Sequence, residues 1–213
     1  YPVIATATKA LGGDVVNLPL LEKNGFLPDL NMLTGDQLKR AKILYINYPN
    51  NPTGAVATRS FYEKIVSFAK RNRLIVVSDE AYSTLVFDDT TPLSILNIDG
   101  AKDVCVSLQS LSKAFNMTGW RIGFAAGNAL LIKALAAVKS NNDSGQFAPI
   151  QHAAAYCLHH PEITARNVEK YSRRHDALVA ALRNVGFDVK KPEGTFYLYV
   201  KTPKATESGI HFD

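Results

Sequence analysis

Cysteine is scarce. Only Cys105 and Cys157 occur in 213 residues, too few for a disulfide scaffold or a four-thiolate zinc site. Both lie in apolar segments, where a buried thiol is the simpler reading. No apolar run approaches the roughly 18 to 20 residues that cross a bilayer, so this stretch holds no membrane helix. There is no Gly-x-Gly-x-x-Gly and no Gly-Lys-Ser/Thr, so nicotinamide and nucleoside-triphosphate chemistry lack their physical parts. No fixed-period repeat or low-complexity tract is present, which argues against a solenoid. His152, His159 and His160 have no companion carboxylate pair at ligand spacing and read as a helix end, so no metal is expected. Charge of one sign is also modest. Lys plus Arg number 24 against 19 Asp plus Glu, a net +5, which suits an anionic small molecule. The longest basic cluster, Lys70-Arg71-Asn72-Arg73, reads as a solvated helix end. Without a basic stripe, no nucleic-acid partner is expected.

What is present is globular: 46% hydrophobic and 20% charged residues rule out a disordered or fibrous chain. The first residue is Tyr and the last four, Ile210-His211-Phe212-Asp213, start an apolar pattern that nothing completes. The stretch is expected to be a fragment of a longer protein. Strands are read at 14–18, 43–47, 74–78, 104–108 and 122–126. Helices are read at 59–71, with Thr58 as cap, then at 129–139 and 147–158. A long helix runs from His160-Pro161 to Val185, where Gly186 ends it. Strands at 188–191 and 195–201 close the sequence. Alternating strands and helices indicate an α/β fold with a largely parallel sheet. The closely spaced late strands suggest the start of a second, α+β domain.

Ligands of open α/β sheets gather beyond the carboxyl ends of the strands, and polar residues collect there. The strand at 43–47 runs into Tyr48-Pro49-Asn50-Asn51-Pro52-Thr53-Gly54. The strand at 74–78 runs into Asp79-Glu80-Ala81-Tyr82. The strand at 104–108 runs into Ser110-Leu111-Ser112-Lys113. Each alone is ordinary turn or cap chemistry; three together at one sheet edge are not.

With NYPNNPTG at 47–54, SDEAY at 78–82 and SLSKAFNMTGWRIG at 110–123, the chain resembles the pyridoxal 5′-phosphate enzymes of the aspartate aminotransferase fold. The resemblance covers essentially all 213 residues of chains about twice as long. It implies a three-layer α/β/α architecture, with a partial cofactor-binding large domain at 1–160 and a bridging helix and incomplete small domain at 161–213. It implies that Lys113 carries the cofactor as a Schiff base and later shuttles a proton. Asp79 would keep the ring nitrogen protonated, since a nearby opposite charge favours the charged form. Tyr82 and Asn51 would donate to the phenolic oxygen. Arg121 would bind the phosphate, with hydroxyls from Ser110 and Ser112. Tyr1, counted back from Gly12-Gly13, matches the aromatic residue stacked on the ring. The sequons at Asn116 and Asn142 fall on the active-site side and are rejected as glycosylation sites.

The cofactor does not choose the reaction. The segment 138–151 (VKSNNDSGQFAPIQ) resembles LL-diaminopimelate aminotransferases and their bacterial and plant relatives. No arginine occurs between Arg121 and Arg166, which weakens an animal-type aspartate reading. The reading is an aminotransferase for an amino-acid and 2-oxo-acid pair, LL-diaminopimelate first, with aspartate, alanine or an aromatic amino acid as runner-up. A C–S lyase and a non-catalytic cofactor-binding regulator stay open. The resemblance also implies a homodimer; a cytoplasmic location is expected.

Overall fold

The computed structural model describes residues 2–143 and 145–201. Strands β1 (Ile43–Asn47), β2 (Ile75–Asp79), β3 (Cys105–Ser110) and β4 (Gly123–Gly127) form one sheet in that order. The first three are mutually parallel and β4 runs antiparallel to β3. The α/β class and mostly parallel sheet read from the sequence are present, with strand bounds within about two residues.

Side chains alternate across a strand, and that alternation builds the core. Leu44, Ile46, Val76 and Cys105 are buried on one face. Phe61, Ile65 and Ala69 join them from helix α1 (Arg59–Asn72) in a single apolar cluster. Fully burying a side chain of the Ile65 kind contributes roughly 1.5–3 kcal/mol. Thr58 starts α1 by accepting the Phe61 amide, and Arg73 ends it in the left-handed conformation. The opposite sheet face is polar towards the strand ends: Tyr45, Asn47 and Asp79 are half-buried there.

After β4 come α2 (Ala129–Ser140), α3 (Ala148–Leu158) and α4 (Pro161–Asn184). Asn128 caps α2 by accepting the amides of Leu130 and Leu131. Gly186, at φ 92, terminates α4. Among the described residues no helix is long and apolar enough to cross a membrane.

Three expectations are corrected. Residues 14–18, 188–191 and 195–201 form no strand. Their sequences are β-prone, but a strand needs a ladder partner, and among the described residues none of the three finds one; Gly194, between the last two, makes an isolated antiparallel bridge to Val86. Thr195, at φ 67, also breaks the extended run. A helix at Val3–Ala10 and a short one at Gly35–Arg40 lie where the sequence reading placed none.

Candidate active site

Parallel register brings the ends of β1, β2 and β3 to one edge, Asn47 opposite Asp79 and Asp79 opposite Leu108. The Asn47 side chain ties two of the connections together. Its amide donates to the Asp79 carbonyl at 3.0 Å, and its oxygen accepts the Asn51 amide N–H at 3.0 Å. Asn51 is thereby held against the end of β2.

Asp79 accepts from the Tyr45 hydroxyl at 2.5 Å and from the Ala81 N–H at 3.2 Å. An ionised carboxylate offers about four acceptor positions, so capacity is left for another donor. Burial, together with the Asp79 hydrogen bond and charge, pushes the Tyr45 phenol well above its usual range; it stays a donor.

Tyr82 is buried. Its hydroxyl lies 3.0 Å from that of Tyr197, which also accepts from the Asn51 side-chain amide at 3.4 Å. Burial, then the Tyr197 hydroxyl, then the Asp79 charge raise the Tyr82 phenol far above ordinary tyrosine. Tyr82 therefore keeps its proton across the physiological range. The half-buried Lys113 places its amine 5.8 Å from the Tyr82 ring centre and 5.4 Å from that of Phe196. Among the described residues no carboxylate pairs with it.

Ser110 ends β3 and caps the one-turn helix Leu111–Ala114 that carries Lys113, accepting the Ser112 N–H at 3.2 Å. Ser112 is buried, and its carbonyl accepts the Thr118 hydroxyl at 3.0 Å. Ser110 pairs with Gly123 across the antiparallel register, which brings the start of β4 and Arg121 beside it. Arg121 is exposed and left-handed at φ 53; its guanidinium donates to the Thr118 carbonyl, and its own carbonyl accepts from Gln146 at 2.7 Å. The structure thus groups Asn51, Asp79, Tyr82 and Lys113 at one edge, with Ser110 and Ser112 at the end of β3 and on the turn that carries Lys113, and Arg121 just before β4. Tyr1 lies outside the described residues.

The sequence reading missed Tyr45, Asn47 and Tyr197. Tyr45 and Asn47 were legible as same-face neighbours at the end of β1. Nothing in local spacing signals that residue 197 returns to residue 82. The return is held by a tight seam. Gly194 donates to the Gly54 carbonyl at 2.9 Å and Thr195 to that of Leu85 at 2.8 Å. At Gly54, φ is +75 and a Cβ would come within 2.5 Å of Pro192 Cβ, so only glycine suits this position.

A cavity of about 700 Å³ lies beside this group, between the end of β3 and α4, lined by Ser110, Leu111, Ala114, Thr164, Val168 and Ser172 among others. It shares Ser110 with the cluster but does not contain Asp79, Tyr82 or Lys113. We place the chemistry at the strand ends, because that is where donors, carboxylate and amine converge. Among the described residues no group of three His, Cys, Asp or Glu side chains is arranged to hold a metal ion.

The family model described as aminotransferase class I and II matches residues 1–210. An LL-diaminopimelate aminotransferase of Methanocaldococcus jannaschii is 59% identical over 212 residues, covering 100% of this chain and 50% of the relative. One from Methanococcus maripaludis is 55% identical, covering 100% of this chain and 51% of the relative. The chain thus spans about half the length of these relatives. Among solved structures, substrate-bound BacF of Bacillus subtilis superposes with a TM-score of 0.93 at 38% identity, over 97% of this chain and 53% of that one. A probable N-succinyldiaminopimelate aminotransferase of Thermus thermophilus gives 0.88 at 32% identity, over 97% and 55%.

Proposed function

We propose, from the premise that the chain belongs to the class I and II aminotransferase family, that it is the core of a pyridoxal-phosphate-dependent aminotransferase acting on LL-diaminopimelate. The observation that carries the cofactor reading is the convergence of Tyr82 and Asn51 on a single oxygen. That oxygen belongs to Tyr197 here; a phenolic ring oxygen would offer the same two residues an acceptor of the same chemistry. A carboxylate with spare acceptor capacity and an amine with no carboxylate partner among the described residues lie at the same edge, so the residues fit the group. Aldehyde, ring nitrogen, ring oxygen and phosphate each have a chemically matched partner.

When bound, pyridoxal phosphate supplies an aldehyde for amino groups and a protonated ring that accepts electrons. Lys113 would hold the aldehyde carbon. Once the substrate's amine displaces it, Lys113 would move the proton at the substrate's α-carbon. Asp79, itself held by Tyr45 and the Ala81 amide, would fix the proton on the ring nitrogen. Tyr82, kept protonated by its burial, would donate to the ring oxygen together with Asn51. Ser110, Ser112 and Arg121 would bind the phosphate dianion through hydroxyls and a cationic fork.

The substrate choice rests on the names of the relatives and on the segment at 138–151. With it we propose a role in amino-acid biosynthesis; a homodimer and a cytoplasmic location are proposed on the resemblance to the family alone. The test is amino transfer by the full-length protein from LL-diaminopimelate to 2-oxoglutarate, read as glutamate formed. Faster turnover with aspartate, alanine or an aromatic amino acid would overturn the substrate assignment. Absence of transfer with every amino acid would overturn the activity.

A further inference from the structure

Asp79 and Glu80 are consecutive, so they point to opposite faces of the sheet. Asp79 faces the candidate site. Glu80 faces the core and is fully buried. Its carboxylate accepts four hydrogen bonds, two on each oxygen. Ser78 Oγ at 2.8 Å and the Ile95 N–H at 2.9 Å donate to Oε1. Ser107 Oγ at 2.9 Å and Gln109 Nε2 at 2.8 Å donate to Oε2. All acceptor positions of an ionised carboxylate are thus filled. Among the described residues no cation forms an ion pair with it. The titratable groups that feel its charge are Tyr62, from α1, and Cys105, from β3. A buried anion held only by neutral donors is costly to build for packing alone, because apolar side chains would fill the space at less desolvation cost.

The second half of the arrangement is Gln109. Its Nε2 donates to Glu80 and, at 2.9 Å, to Ser107; its Oε1 accepts the Ser83 hydroxyl at 3.0 Å. Ser83 directly follows Tyr82, and Gln109 directly precedes Ser110. The chain Glu80–Gln109–Ser83 therefore joins the connection that carries Asp79 and Tyr82 to the one that carries Ser110 and Lys113.

We propose that Glu80 and Gln109 are positioning residues: from beneath the sheet they lock the two strand ends together, so that Asp79, Tyr82 and Lys113 reach one cofactor ring. This rests on the cofactor reading above. It assigns no contact with cofactor or substrate to either residue.

The test uses the full-length protein, titrated with pyridoxal phosphate and read by the long-wavelength absorbance of the lysine-bound cofactor. Circular dichroism follows the fold separately. Gln109→Glu sets a second carboxyl group against Glu80, and the pair is satisfied only while it shares a proton. Its proton is held at low pH and lost as pH rises. Cofactor affinity should match wild type near pH 6 and fall about tenfold below it near pH 8.5. The exchanged double variant, Glu80→Gln with Gln109→Glu, restores one carboxylate and one amide. The amide introduced by Glu80→Gln then donates to the new carboxylate and to Ser107, and its oxygen still accepts from Ser78 and Ile95. The pH dependence should return to that of wild type. Should Gln109→Glu not fold, Ser83→Ala removes one hydroxyl of the link, and affinity should drop about threefold with the circular dichroism spectrum unchanged. Wild-type affinity in Gln109→Glu at every pH, no recovery in the double variant, or wild-type affinity in Ser83→Ala would each overturn the proposal. Absence of the band in wild type would instead reject the cofactor reading beneath it.

Discussion

The hydroxyl of Tyr197 lies 3.0 Å from that of Tyr82, a residue 115 positions earlier in the chain. The two rings meet edge to face with centres 5.8 Å apart. The turn after β1, the connection after β2 and the segment after α4 converge there, because Asn51 donates to the same oxygen. A single hydroxyl thus meets both of the groups, Asn51 and Tyr82, that the proposed function gives to a cofactor.

Tyr197→Phe removes that oxygen and leaves the ring. Asn51 and Tyr82 are then both free for a new acceptor. Cofactor affinity, measured by absorbance titration, should hold within about threefold of wild type or improve. A loss beyond tenfold would mean that Tyr197 itself holds the cofactor.

Lys113→Ala deletes the proposed attachment point and proton carrier. The long-wavelength band should vanish and turnover fall by about a thousandfold or more, with far-ultraviolet dichroism unchanged. Retained turnover would reject the catalytic role of Lys113.

Asp79→Ala leaves the Tyr45 hydroxyl without its acceptor and the ring nitrogen without its counter-charge. Cofactor should bind weakly, and the rate with saturating cofactor should drop about a hundredfold or more. A rate near wild type at saturation would limit Asp79 to a capping role.

The sheet and the site were legible in the sequence to different depths. The run LIVVS named β2, because a strand buried between neighbours is apolar along its length, and ILYIN named β1 by its β-forming residues. Regular delivery of polar residues at three strand ends made Asn51, Asp79, Tyr82 and Lys113 readable. Residues 195–201 alternate as a strand does, yet local pattern cannot report the missing ladder partner. Tyr197 was invisible for a related reason: its contact is set by the path of the chain after α4, not by its neighbours in sequence. Glu80 was passed over because one acidic residue in a motif looks like another; only the strand's alternation separates the one facing the site from the one facing the core.

Ile65 is completely buried where α1 meets the sheet. Ile65→Ala should destabilise the protein by about 2–5 kcal/mol, read as a lower denaturation midpoint. A cost under 1 kcal/mol would show that this interface is loosely packed.

His175 is buried against Phe87, its ring 5.1 Å from that one, with Nε2 3.2 Å from the Thr195 carbonyl. Burial lowers its pKa below the ordinary 6.5 despite that hydrogen bond. The unfolded chain then binds the proton more readily, so stability is full above pH 6.5 and declines as pH falls through the folded value. Melting temperatures from pH 8 to 5 should show this decline, and His175→Gln should flatten it. An equally steep decline in His175→Gln would assign it to other groups.

The closure at Gly54 bears on how this fold diversifies. No side chain can be added there without driving Pro192 away and carrying Tyr197 with it. Sequence change must therefore arise away from this seam, which is inherited whole or lost.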